Sequence, residues 1–307
     1  MKDGPPTLNT PAPEGSTLNS AESIQPVCGQ LFLRFETRGA HSQTILAESE
    51  QRLPLRIVRA FQLDDGGALV HLHNLSGGVL GGDLLDLTVE VGSQATAQIT
   101  STGATRIYRT RKSAEPAHQR LQINIEEDGL LEYLPDQLIP FAGSRYRQET
   151  RIELGANAGL FWWETVAPGR EAHDEIFVYD LLQFKTWISA LGQPIAIEHM
   201  RIEPRRRSIF SLARLGKYAY FSTFYICRVG IEAGRWLELE KLLGELAEEL
   251  SQPSKTVWGV SSLRAHGIVV RALSISGREI SKGLPGFWRV AKRFLYDREA
   301  VLPRKVY

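Results

Sequence analysis

Hydrophobic and polar residues alternate in short runs along most of the chain, from about residue 29 to residue 276. In residues 85–91 and 121–125, every second position is Leu, Ile or Val, and the positions between them are polar. This period of two is typical of strands with one buried face. Further runs rich in β-branched and aromatic residues lie at 57–63, 69–75, 176–182, 195–202, 218–229 and 267–273. The pattern predicts an all-β body.

Two stretches near the C-terminus have helical spacing instead. In residues 234–250, Trp and Leu recur three and four positions apart, and Pro253 ends the stretch. Pro285 is suited to the first turn of a second helix, before apolar residues that continue to Leu295. Helices do not alternate with strands, so the pattern disfavours a doubly wound α/β sheet. It also lacks the fixed-period repeat of a solenoid. The expected fold is dominated by β-sheet, with about two C-terminal helices.

Composition narrows the class of protein. Thirty-six basic and 35 acidic residues leave a net charge of +1, which gives no support for nucleic-acid binding. Cys28 and Cys227 are far apart and fit neither a disulfide framework nor a zinc site, so a reducing, cytoplasmic location is expected. Membrane insertion is not expected, because no run approaches the roughly 18 consecutive apolar residues that a spanning helix needs.

Residues 1–27 are predicted to form a disordered N-terminal tail. They are rich in Pro, Ser and Thr and lack the continuous apolar segment of a signal peptide. Residues 28–307 are predicted to form a single domain. Its strand-rich part covers 29–230, and its helix-containing part covers 231–307.

A glycine-rich stretch, residues 75–83, is the first candidate for chemistry. Its four glycines include Gly77, Gly78 and Gly82, and they lie between two predicted strands. Glycine there permits close backbone approaches, and a bulge or tight turn in a sheet explains the stretch as well. The spacing matches neither a phosphate-binding loop nor a dinucleotide fingerprint. Asp83 ends the stretch and adds a carboxylate.

His71 and His73 lie just upstream, two residues apart on a predicted strand. Their imidazoles would therefore share one face, at a separation of roughly 7 Å. Imidazole suits nickel, copper and zinc, but two imidazoles do not complete a site for any of them. Two ordinary polar strand residues are the simpler interpretation.

The second candidate is residues 162–175, in which four acidic groups, His173 and Arg170 fall close together. Such oxygen ligands with one imidazole could bind a divalent cation weakly, although a solvated charged loop has the same composition. Common enzyme motifs, such as His-Glu-x-x-His and the nucleophile elbow, are missing. The remaining enzyme hypothesis is a carboxylate- or metal-assisted hydrolase that uses Asp83 and Glu175 as acid and base.

Taken in order, several motifs resemble those of the UreD family of urease accessory proteins, called UreH in some bacteria. The matching stretches are Gly77–Asp83, Thr102–Arg109, Leu131–Asp136 with Ile139–Phe141 after it, Gly169-Arg170 followed by Glu175, and Pro303–Tyr307. The resemblance covers about residue 30 to the end. Two positions differ from the family pattern: Arg106 replaces a common lysine, and Asp174 stands where the family usually has glycine.

The resemblance implies an elongated, β-helix-like body without catalytic turnover. It also implies docking on the urease apoprotein together with UreF and the GTPase UreG. Nickel from a metallochaperone would then pass through the interior as a transient Ni²⁺ cargo, with no tightly bound cofactor. Such a conduit should bind metal weakly, because a closed site would retain it.

The resemblance also suggests which residues serve these roles. Asp83 and Glu175 are the best candidates to line the nickel path, by their match to family carboxylates. The three nearby histidines, His71, His73 and His173, are further candidates. Structural or partner-binding roles are expected for Gly77, Gly78, Gly82, Tyr108, Arg109, Pro135, Gly169 and Arg170.

Overall fold

The computed structural model of the protein describes residue 1 and residues 26–39, 43–211 and 213–303. Most of the predicted tail, residues 2–25, lies outside these ranges, as does the ending at 304–307. The described part contains two α-helices, α1 (Ala233–Leu250) and α2 (Gly277–Tyr296). Its strands are β1 (Cys28–Arg38), β2 (Gln43–Arg52), β3 (Leu55–Arg56), β4 (Ala60–Gln62), β5 (Ala68–Asn74), β6 (Leu84–Val91), β7 (Thr96–Ser101), β8 (Thr105–Ile107), β9 (Ala117–Ile125), β10 (Leu130–Tyr133), β11 (Leu138–Pro140), β12 (Arg145–Leu154), β13 (Gly159–Val166), β14 (Leu181–Ala190), β15 (Gln193–Ile202), β16 (Tyr220–Arg228), β17 (Thr256–Ser262) and β18 (Gly267–Ser274).

The strands form two sheets, and the chain crosses between them repeatedly. The first sheet has the order β15-β14-β12-β9-β6-β1-β2, and the second has the order β17-β18-β16-β13-β10-β7-β5-β3. From β5 to β14 the long strands alternate between the two sheets, and neighbours within each sheet are parallel. Antiparallel strands flank the parallel ones. The β-dominated fold is confirmed, and its body is a two-sheet coil of the β-helix type.

One edge of the coil consists of tight, stacked turns. The crossings from the first sheet to the second take four residues each, at 92–95, 126–129 and 155–158. The third residue of each turn has a positive φ: 61° at Gln94, 58° at Asp128 and 54° at Asn157. Backbone hydrogen bonds of 3.0 and 2.9 Å join each turn to the next.

The opposite edge, here called the corner edge, consists of four long loops. They cover residues 75–83, 102–116, 134–144 and 167–180, and they return the chain from the second sheet to the first. Short strands β8 and β11 lie within two of these loops and pair in parallel. Because the loops differ in length, successive turns of the coil have no constant period. The repeat is therefore present in three dimensions although the sequence showed none.

Three hydrophobic cores stabilise the fold: two lie between its layers, and one lies beneath the corner edge. Leu33, Val89, Ile123 and Ile152 of the first sheet pack against residues of the second, such as Trp162. The outer face of the second sheet packs in turn against both helices, through residues that include Phe161, Phe224, Leu239 and Trp288. Neither helix of the described residues is both long and apolar enough to cross a membrane.

Two boundary predictions were wrong. Helix α2 begins at Gly277, so Pro285 lies inside the helix rather than in its first turn. The first two turns are mostly polar and bury few side chains, which hid them from a search for apolar periodicity. Residues 176–180 form part of a corner loop, and strand β14 begins only at Leu181. Their aromatic side chains, Phe177 and Tyr179, fill a core beneath the corner edge instead.

Candidate functional site

Four separate sequence motifs meet at the corner edge. The Tyr108 hydroxyl donates a 3.3 Å hydrogen bond to the carbonyl oxygen of Gly77, in the glycine-rich loop. The Tyr108 ring packs edge-on against Phe141, with 5.0 Å between centroids. The guanidinium of Arg170 lies over the Phe141 ring, 4.4 Å from its centroid. Consecutive turns of the coil thus each contribute one motif to a continuous cluster.

Close backbone approaches explain two of the motif glycines. A Cβ atom on Gly78 would lie 2.4 Å from Tyr108 Cε2 and 2.7 Å from the Arg106 carbonyl oxygen. At Gly169, where φ is 144°, a Cβ atom would lie 2.0 Å from the carbonyl oxygen of Glu175. Larger residues cannot occupy either position without moving the neighbouring strand or loop.

Glu175 closes the last corner loop by hydrogen bonds to Arg170 and to the preceding corner loop. Its carboxylate accepts a 2.9 Å hydrogen bond from Arg170 Nε, a second from Arg170 Nη2, and a 3.0 Å bond from the backbone N–H of Ala142. These bonds, chiefly those from Arg170, lower the pKa of Glu175 to about 2. The carboxylate is therefore ionised and occupied by groups of its own chain.

Asp83, in the first corner loop, likewise accepts hydrogen bonds from its own chain. Its buried carboxylate accepts a 2.8 Å bond from the Leu80 N–H and a 3.3 Å bond from the Val27 N–H. It thereby ties the glycine-rich loop to the segment that precedes β1. Gly82, beside it, faces Pro26.

The three candidate histidines lie in different surroundings. His71 is buried and packs edge-on against Phe61, with 5.6 Å between ring centroids. His73 is half-buried, and desolvation, helped by the charges of His71 and Arg56, lowers its pKa. His173 is exposed, in a short 3₁₀ turn. Within the described ranges, no three His, Cys, Asp or Glu side chains come close enough together to hold a metal ion.

The remaining motif residues also lie along the corner edge. The carbonyl oxygen of Pro135 accepts a 2.9 Å hydrogen bond from Trp163 Nε1. Arg109 is exposed, and its side chain lies against Gly143. These contacts stabilise the loops.

A polar path between the two sheets was missed by sequence reasoning. The Tyr146 hydroxyl lies 2.9 Å from Gln119 Oε1 and 2.8 Å from Gln148 Oε1. Gln148 Nε2 in turn donates a 2.5 Å bond to Glu164 Oε1. These side chains come from β9, β12 and β13, so the path runs along the coil. The available signal was strand β12, whose inward positions include Tyr146, Gln148 and Thr150 before the apolar Ile152.

Cavities lie at both ends of this polar path. The first has a volume of about 280 Å³, lies at the corner edge, and is lined by His73, Gly77, Gly78 and Gln119 among others. The second, of about 50 Å³, is lined by residues that include Glu164 and Glu198. Hydrogen-bonded side chains therefore connect one cavity to the other.

The second cavity, here called the far cavity, is lined by Glu164, the carboxyl group at the end of the polar path. Burial is the main cause that raises the pKa of Glu164 to about 7; the nearby charge of Glu198 adds to it, and the hydrogen bond from Gln148 opposes it. Glu198 itself accepts bonds from Tyr225 and, at 2.5 Å, from Arg271. Glu164 can therefore gain or lose a proton near neutral pH.

Comparison with known proteins matches residues 27–307 to the model of the UreD urease accessory protein family. A curated urease accessory protein UreD from Herpetosiphon aurantiacus is 44% identical over 290 residues, which cover 94% of this chain and 100% of that protein. The protein of the same name from Corynebacterium glutamicum is 30% identical over 280 residues, or 86% of this chain and 95% of that protein. The match spans the coil, the corner-edge motifs and both helices, and the chain belongs to the UreD family of urease accessory proteins.

Proposed function

We propose that this chain is a non-catalytic scaffold for the maturation of urease. It acts in the cytoplasm, docks on the urease apoprotein and assembles with UreF and the GTPase UreG. Nickel supplied by a metallochaperone passes through it to the urease metal site. Membership of the UreD family supports the accessory role, and the names of the relatives support the link to urease.

The observation that supports a conduit is the polar path between the sheets. It begins at a cavity beside His73 and continues through Gln119, Tyr146 and Gln148 to Glu164. Amide, hydroxyl and isolated carboxylate groups hold a divalent cation weakly, as passage requires.

We assign different tasks to the carboxylates on this basis. Glu164 and Glu198 would meet the passing cation, because they line the far cavity. Asp83 and Glu175 would maintain the shape of the corner edge, since backbone amides and Arg170 already occupy their oxygens. His73 would be the first imidazole available at the near cavity.

Co-expression with urease, UreF and UreG tests the scaffold. We expect urease activity and nickel content to depend on this chain, and full activation in its absence would refute the proposal. Glu164→Gln should reduce the nickel content of urease several-fold while the variant still co-purifies with the apoprotein.

The control for this experiment is Glu149→Gln. Glu149 lies on strand β12 next to Gln148, but it pairs with Lys185 at 3.4 Å on the outer face of the sheet. The control should load nickel as the wild type does. Equal nickel loading by Glu164→Gln and wild type would remove Glu164 from the path without affecting the scaffold proposal.

A further inference from the structure

A strongly basic loop lies beside the corner edge. This basic loop, residues 203–219, connects β15 to β16 and contains five basic residues and one acidic residue, whereas the rest of the chain has 31 basic and 34 acidic residues. Arg207, Arg214 and Lys217 are exposed. The Arg206 side chain is 75% exposed, and its ion pair with Glu203 is long, at 3.5 Å. The basic loop therefore carries a net charge of +4, whereas the rest of the chain carries −3.

The described residues of the basic loop, 203–211 and 213–219, are held in place by their own contacts. Ile209 is buried, and its carbonyl oxygen accepts a 3.2 Å bond from the Leu215 N–H. Arg214 Nη1 donates a 2.9 Å bond to the Ser208 carbonyl oxygen. Phe210 remains 58% exposed next to these anchors. A preformed loop that presents arginines around an exposed aromatic ring has the composition of a protein-binding hot spot.

The basic loop is also continuous with the corner edge. Phe210 packs edge-on against Phe177 of the last corner loop, with 5.4 Å between centroids. Arg205 forms a 3.1 Å ion pair with Asp180 of the same corner loop. A partner that contacts the basic loop would therefore also lie close to residues 177–180 of the last corner loop.

We propose that the basic loop is a docking surface for an acidic patch on a protein partner of the urease assembly, with Phe210 at its centre. This inference rests on the proposed scaffold function. A protein fits better than a nucleic acid, because the charge occupies a single loop rather than a long stripe and the whole chain carries only +1. A protein also fits better than a membrane. Among the described residues of the loop, Phe210 is the only large apolar side chain that is exposed, and binding to a membrane surface needs a broader apolar face.

The test uses the full-length chain with Arg206→Glu and Arg207→Glu combined. Binding to the urease apoprotein and to UreF is measured at low and high salt. For the partner that binds the loop, we expect affinity to fall by about tenfold or more at low salt, mainly through slower association, and the difference to shrink at high salt. The double Arg→Lys variant keeps the charge and should bind nearly as well as the wild type.

Arg151→Glu with Arg264→Glu is the matched control. Both arginines are exposed, Arg151 in the middle of strand β12 and Arg264 between β17 and β18, and the change in net charge is the same. Phe210→Ser should weaken binding without changing its salt dependence. Unchanged binding of the loop variant to both proteins overturns the inference, as does a loss confined to nucleic acid or anionic vesicles. Failure of the wild type to bind either protein would instead contradict the proposed function.

Discussion

Single glycines set the shape of the corner edge. Gly78→Ala places a Cβ atom 2.7 Å from a backbone oxygen, Arg106 O, which cannot rotate away as a side chain can. We expect the free energy of unfolding to fall by roughly 2 to 4 kcal/mol, because the loop must separate from β8. Denaturant unfolding at pH 7.5 measures the change.

Gly103→Ala is the control for Gly78→Ala. Both glycines line the cavity beside His73, but a Cβ atom on Gly103 has no neighbour within 4 Å. Its effect should lie within about 0.5 kcal/mol of zero. Equal destabilisation by the two substitutions would show that the close contact at Gly78 is not the cause.

Sequence reasoning selected residues that lie at the corner edge but could not assign their contacts. Gly78, Gly169, Asp83 and Glu175 were selected, and all four lie in corner loops. Nothing in the sequence indicates that the partner of Glu175 is Arg170 together with an amide N–H from a loop some 30 residues earlier. Such contacts depend on how turns of the coil stack, and the unequal loop lengths hide that stacking.

At the scale of elements, the tight turns offer a stabilising change. All three turns need a left-handed residue at the third position, and Asp128 and Asn157 tolerate that backbone better than Gln94 does. Gln94→Asn should therefore raise the free energy of unfolding by about 0.5 to 1 kcal/mol. Thermal unfolding tests this, with Asp128→Asn expected to be nearly neutral.

Helix α2 is fixed to the coil by a buried ion pair. Lys292 Nζ lies 2.9 Å from Glu132 Oε1, and the two side chains are 2% and 0% exposed. Trp288 and Gln98 donate further bonds to Glu132, at 3.1 and 2.9 Å. Lys292→Met leaves a buried carboxyl group without its cation and should cost about 3 to 5 kcal/mol.

A double-mutant cycle separates the ion pair from simple packing. Glu132→Gln retains an oxygen that can accept from Trp288 while removing the charge. Combined with Lys292→Met, it should cost at least about 1 kcal/mol less than the sum of the single changes, as measured by denaturant unfolding. Additive costs would mean that the two charges do not stabilise each other.

Elements with a clear periodic pattern of apolar residues were predicted accurately, and elements without such a pattern were missed or misplaced. Strands with one apolar face, such as β6 and β9, match the alternation closely. Strand β13 is buried on both faces, as parallel strands usually are, and so lacks that alternation. Helix α2 was predicted only from its apolar second half, which is why Pro285 was placed at its start.

At the scale of the whole molecule, the polar path makes stability depend on pH. The pKa of Glu164 rises from an ordinary value near 4.5 to about 7 in the folded state. Between these values the folded chain holds a proton that the unfolded chain releases. The contribution of Glu164 to the free energy of unfolding therefore falls as pH rises through this window, and is constant above it.

Glu164→Gln removes this titration. Relative to the wild type, the variant should gain roughly 1 to 3 kcal/mol between pH 5 and pH 7.5. Denaturant unfolding at both pH values provides the measurement. Glu127→Gln, at an exposed tight-turn position, should show no such change relative to wild type. A flat difference for Glu164→Gln as well would mean that its carboxyl group is not desolvated.

The coil also determines the order in which the chain can assemble during synthesis. Each parallel strand bonds to strands of adjacent turns, so the two sheets can extend turn by turn as the polypeptide emerges from the ribosome. The outer face of the second sheet includes Phe161 and Phe224. It stays exposed until both helices have been synthesised and pack on it. Lys292, which supplies the cation that pairs with Glu132, is made near the end of the chain. A nascent or C-terminally clipped chain therefore exposes this apolar face, and aggregation should begin there.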